Sequence, residues 1–145
     1  MPKFSRASQQ RLDTVHPDLQ AVLNEAIKYV DFSVVEGYRT QADQERLYAE
    51  GKTKTLKSKH FLTFCAEHGG SFSYAVDIVP YFASKPHTDF NDREEFCLLA
   101  GIILGIAYEL KQAGKIRSDI RWGGKWNKER IKDNSFFDGP HFEIK

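Results

Sequence analysis

The chain has no apolar run of the roughly 18 residues that a membrane-spanning helix requires. Its first residues, MPKFSRASQQRLD, contain no apolar stretch of the kind a secretory signal needs. The expectation is synthesis in a cytoplasm, with no membrane insertion. Cysteine is scarce: Cys65 and Cys97 are the only two. Two are too few for a disulfide framework, and they form no close thiolate pair for zinc, so both are expected to be reduced and semi-buried. An excess of either charge is also missing. With 21 Lys and Arg against 20 Asp and Glu, the net charge is +1, which gives no bulk electrostatic support to nucleic-acid or membrane-surface binding. There is no internal repeat, linker or low-complexity tract, and no βαβ rhythm.

What is present suits one globular domain over residues 1–145, at 41% hydrophobic and 28% charged. Apolar positions from Leu12 to Val30 fall at helical spacing and are interrupted by Pro17, which suits the first residue of a new helix. Phe32 to Tyr38 reads as a strand, and Thr40 as the N-cap of a helix over Gln41–Glu50 closed by Gly51. Residues 52–73 show little periodicity and read as a long loop. Ala75 to Tyr81 reads as a strand with an aspartate at its centre. Asn91 and Glu94 suggest a capping box before a helix with its apolar stripe on Phe96, Leu99, Ala100, Ile103, Leu104, Ala107 and Leu110, ending at Gly114. Ile120–Trp122 and His141–Ile144 are short strands; read locally, the latter could be an edge strand with an incidental histidine. Mixed helices and strands give an α+β class.

Three segments bring metal-ligand chemistry: SKH at 58–60, YAVDIV at 74–79 and DGPHFE at 138–143. Asp77 stands in an otherwise apolar strand, where a carboxylate is costly to bury unless it is paired or binds a metal. Together His60, Asp77 and His141 would form a two-imidazole, one-carboxylate set with a fourth position open, the catalytic zinc pattern. Asp138 lies three residues before His141, across a Gly-Pro turn, and could share the site as an acid/base. Four lysines, Lys52, Lys54, Lys57 and Lys59, precede or flank His60 and read as a solvated basic loop. His16 and His87 read as exposed, and Glu36 as a partner for a basic neighbour.

The order GYRT (37–40), SKH, AVD, RWGGKW (121–126) and DGPH resembles the VanY-type zinc peptidases. That group comprises D-alanyl-D-alanine carboxypeptidases and L-alanyl-D-glutamate endopeptidases, including single-domain phage endolysins. The resemblance implies a small antiparallel sheet flanked by helices, the fold shared with the hedgehog signalling domain. It also implies zinc on His60, Asp77 and His141, Asp138 as general base and Arg39 as anchor for a substrate carbonyl or carboxylate. Ser58 would help hold the substrate; Trp122 and Trp126 would shape the site wall, with core packing an equal alternative for Trp122.

The chain departs from that pattern in two places. His60 and Asp77 are seventeen positions apart, where the family has seven, and the additional stretch FLTFCAEHGGSFS (61–73) carries Cys65 and His68, rivals to His60 at the metal. Lys125 stands where the family has an aspartate. The resemblance implies a monomeric zinc peptidase that cuts peptidoglycan stem peptides at L-alanyl-D-glutamate. It would be made in a host cytoplasm and reach the wall through a membrane lesion. Trimming of terminal D-alanine, or an inactive zinc-stabilised wall-binding or structural domain, are the alternatives.

Overall fold

The computed structural model describes residues 2–126 and 128–145. The elements are α1 (Arg6–Leu12), α2 (Pro17–Ala26), β1 (Phe32–Glu36), α3 (Gln41–Ala49), β2 (Leu62–Cys65), β3 (Gly70–Ser73), β4 (Ala75–Pro80), α4 (Arg93–Gln112), β5 (Ile120–Trp122) and β6 (His141–Ile144). A 3₁₀ turn covers Ile131–Asp133. Four strands form an antiparallel sheet in the order β1-β4-β6-β5, and β2 pairs with β3 in a separate hairpin. The α+β class and the flanked antiparallel sheet agree with the sequence reading.

The helix boundaries have local causes. Pro17 sits in the first turn of α2, where its missing N–H has no intrahelical partner to lose. Thr40 caps α3 by accepting from the Asp43 N–H at 3.0 Å. At the far end of α4, the N–H of Lys115 reaches the Leu110 carbonyl and that of Gly114 reaches Lys111. Gly114 closes this Schellman turn at φ 75°, which a residue with a Cβ adopts only with strain.

Strand alternation divides the sheet into two chemically different faces. Val76, Ile78, Trp122, Phe142 and Ile144 join the buried core with Leu19, Leu23, Leu99 and Ile103 from the helices. Helix α4 packs on β4 and β5, α2 packs on α4, and α1 packs on β1. Burial of Phe142 alone contributes about 1.5–3 kcal/mol. The opposite face carries Glu36 across from Asp77, Asp77 across from His141, and Arg121 across from Glu143. The β4–β6–β5 register, with a register shift in β1 between Val34 and Glu36, therefore fixes the polar floor.

Four expectations are corrected. Strand β6 is an inner strand, paired on both sides and buried throughout, so it is no edge. Residues 62–73 hold the β2–β3 hairpin rather than an irregular loop. The capping box does not form: Asp92 is the N-cap of α4 and makes no side-chain cap, while the Asn91 N–H bonds Asp89. His16 is buried at 4% exposure, because its ring caps α2 and packs against Tyr74. Both cysteines are free, Cys65 buried and Cys97 partly so.

Candidate active site

His60 reaches the polar floor from the turn that precedes the hairpin. Its backbone N–H bonds the Ser58 hydroxyl at 3.0 Å, and its carbonyl accepts from the Arg39 N–H at 2.9 Å. Its ring Nδ1 faces the Gly37 carbonyl at 2.8 Å, which places the proton on Nδ1 and leaves Nε2 with a free lone pair. Nε2 is buried without a hydrogen-bond partner: it lies 3.3 Å from Asp77 Oδ1 but is not aligned for a bond. His141 Nδ1 lies 3.1 Å from that same oxygen. The ligand atoms of His60, Asp77 and His141 all fall within 4.8 Å of one another. A buried unpaired nitrogen aimed at a shared carboxylate oxygen is what a cation would satisfy, so this donor set fits a divalent metal.

Charges around the three residues are strongly coupled. Burial favours a neutral Asp77, but its hydrogen bond with His141 and the close approach of His60 override it and hold the carboxyl well below its usual range. Burial likewise opposes a charged His141, yet its bonds to Asp77 and Glu143 raise it to about 9. Asp138 moves the other way: burial, then the Asp77 charge, push its carboxyl up. Its backbone is fixed by an N–H bond to the Gly123 carbonyl at 2.8 Å. A Cβ at Gly123 would lie 2.4 Å from the Asp138 oxygen, so only glycine allows this approach.

Arg39 enters from the loop after β1. Glu36 grips it with two bonds of 2.6 and 3.0 Å, and Gln44, fully buried on α3, accepts from Nη1 at 2.7 Å. The guanidinium then lies 3.8 Å from Asp77 Oδ2. Glu36 is thus the partner of a basic neighbour, as its position in the strand suggests.

This whole polar face coincides with a family assignment. The family model for phage L-alanyl-D-glutamate peptidases matches residues 1–145. The chain belongs to the phage L-alanyl-D-glutamate peptidase family. A curated relative, the L-alanyl-D-glutamate peptidase of Escherichia phage T5, is 31% identical over 153 residues, covering 98% of this chain and 97% of the relative. Among solved structures, the L-Ala D-Glu endopeptidase ChiX of Serratia marcescens superposes with a TM-score of 0.70 at 29% identity, covering 99% of this chain and 90% of that one. The resemblance drawn from SKH, AVD and DGPH is borne out at the level of family and fold.

Within that family frame, the sequence candidates fall into two groups. His60, Asp77, His141, Asp138 and Arg39 converge on one place, and Ser58 supports His60 from behind. His68 and Cys65 do not join them; they cluster with His16 instead. Trp122 is a core residue, 3% exposed, with its indole N–H on the Gly139 carbonyl at 2.8 Å, so it props the turn that bears Asp138 and His141. Trp126 is the tryptophan whose ring lies beside His141, at 5.6 Å. Lys59 is not simply solvated, since it lies 3.2 Å from Glu143. His87 is exposed in its loop, as read from the sequence. The sequence reading missed Glu143 and Gln44. Glu143 was accessible in principle, because positions i and i+2 of a strand share a face, which places it beside His141.

Among the described residues no helix is long and apolar enough to cross a membrane.

Proposed function

We propose that this chain is a zinc endopeptidase that hydrolyses the L-alanyl-D-glutamate bond of peptidoglycan stem peptides. His60, Asp77 and His141 would hold the metal through Nε2, Oδ1 and Nδ1. The observation that carries this reading is the buried, unpartnered Nε2 of His60, aimed at the oxygen that also faces His141. Family membership and the activity named for both relatives support the substrate class. The other members of the cleft have roles that follow from their chemistry.

Bound there, zinc would supply Lewis acidity for activating water and polarising a carbonyl. Asp138, with a raised pKa, takes the proton of the attacking water and returns it to the departing amine. Arg39, pre-set by Glu36 and Gln44, faces the developing oxyanion or a neighbouring substrate carboxylate. Glu143 holds the second nitrogen of His141 and so fixes the ring's tautomer and orientation. Ser58 sets the backbone of His60 and presents its hydroxyl to the substrate, while Trp126 walls the cleft and Trp122 supports it from the core.

The chain acts as a monomeric phage endolysin, made in the host cytoplasm and reaching the wall through a membrane lesion. The test is a mass-spectrometric digest of purified Gram-negative sacculi with the full chain, with chelator and after zinc is restored. New L-alanine carboxyl and D-glutamate amino termini, lost with chelator and regained with zinc, are the expected products. Release of free D-alanine instead would assign a carboxypeptidase. No cleavage would assign a binding or structural role.

A further inference from the structure

A second constellation lies apart from the cleft, where the hairpin meets the start of α2. Cys65 ends β2, His68 follows in the hairpin turn, and His16 precedes Pro17. The turn is tight: the His68 N–H bonds the Cys65 carbonyl at 3.2 Å, and Gly69 adopts φ +66°. This C-x-x-H turn throws both side chains toward one point. The hairpin is held there by the His16 N–H on Ser73 and the Ser73 N–H on Thr14, at 2.8 and 2.9 Å.

The geometry around that point is that of a ligand shell. His16 Nε2 lies 3.6 Å from Cys65 Sγ, and the His16 and His68 rings sit edge to face at 5.2 Å. The ligand atoms of His16, Cys65 and His68 all lie within 4.8 Å of one another. Bonds of about 2.0–2.1 Å to nitrogen and 2.3 Å to sulfur around one tetrahedral ion require separations of this order. A fourth donor is close: Asp18 Oδ1 lies 3.7 Å from His68 Nε2. Its other oxygen is tied by the Arg117 N–H, the Ser118 N–H and the Ser118 hydroxyl, so the carboxylate is already oriented. Cys65 and His16 are both buried, which suits a closed structural site rather than an open catalytic one.

We propose that His16, Cys65 and His68, completed by Asp18 or water, bind a second divalent metal of zinc type that clips the 61–73 hairpin to the body of the domain. A thiolate with two imidazoles selects a borderline-soft ion over calcium or magnesium. Loading removes the proton of the Cys65 thiol and shifts the His16 proton from Nε2 to Nδ1. The cap bond from the Asp18 N–H to Nδ1, 3.0 Å in this structure, is then given up in exchange for the metal bonds. The proposal is independent of the catalytic reading, because the His60, Asp77 and His141 trio contains no sulfur.

Cobalt titration of the metal-free full chain tests it. A thiolate-to-cobalt charge-transfer band in the near ultraviolet, growing with a second equivalent, is the expected result. Cys65→Ser removes the band and one equivalent, His68→Asn weakens binding of that equivalent by at least tenfold, and Cys97→Ser changes neither. His68 is the most exposed of the three, so its variant keeps the test open should Cys65→Ser fail to fold. Absence of the band in the wild-type chain at saturating cobalt overturns the proposal. So does a band that survives Cys65→Ser or disappears with Cys97→Ser.

Discussion

Glu143 Oε1 lies 2.9 Å from Nε2 of His141, while Nδ1 of the same ring lies 3.1 Å from Asp77. The imidazole is therefore held at both nitrogens by carboxylates, one within the proposed ligand set and one outside it. Lys59 and Arg121 flank Glu143 at 3.2 and 2.7 Å, which keeps its charge compensated in a buried place. An outer carboxylate on a ligating histidine raises the basicity of the ring and fixes its orientation. Glu143→Gln is expected to weaken zinc binding at the catalytic site about 10- to 100-fold. Competition against a chromophoric chelator reads this directly, and an unchanged affinity would remove Glu143 from the site's design.

The same residue makes the metal-free protein acid-sensitive. Burial opposes ionisation of Glu143, but hydrogen bonds from His141 and Arg121, with the charges of His141 and Lys59, lower its pKa from 4.5 to about 2. Because the folded value is depressed, its contribution to stability is fully present above pH 4.5 and is lost as pH falls toward 2. Thermal melts in chelator should show the largest gap between wild type and Glu143→Gln above that window, closing through it. A gap that stays constant from pH 5 to pH 2 would mean that other groups carry the acid response.

Gly123 is where the turn that bears Asp138 meets strand β5. A methyl group there would lie 2.4 Å from the Asp138 carbonyl oxygen and 2.9 Å from its Cβ. Gly123→Ala is expected to destabilise the fold by about 1–3 kcal/mol as the turn is forced outward. Turnover should fall further than the loss of folded protein explains, since Asp138 moves with the turn. Denaturant melts run beside activity at a temperature where the variant is fully folded separate the two effects.

Much of the fold was legible in the sequence because its signals were local. Thr40 before α3, Gly114 after α4 and Pro17 at the start of α2 each act through their own backbone neighbours. Asp77 stood out because a carboxylate among Ala75, Val76, Ile78 and Val79 demands a partner. The β2–β3 hairpin was invisible for a complementary reason: most of β2 is exposed, with Phe64 at 67%, so no core-facing alternation marks it. His16 looked like an exposed residue before a helix, and only the folded hairpin reveals what buries it. The separation of His68 from His60 likewise depends on the hairpin carrying His68 toward α2, which seventeen positions of spacing could not reveal.

The most direct test of the central claim is the Asp138→Asn variant, with bound metal and cleavage of sacculi measured on one preparation. The substitution preserves shape and removes the carboxylate proposed as the base. The expected result is unchanged metal content and folding with turnover reduced about 10²- to 10⁴-fold. Wild-type turnover in Asp138→Asn would contradict the assignment of Asp138 as the proton-transferring group and, with it, this account of the cleft.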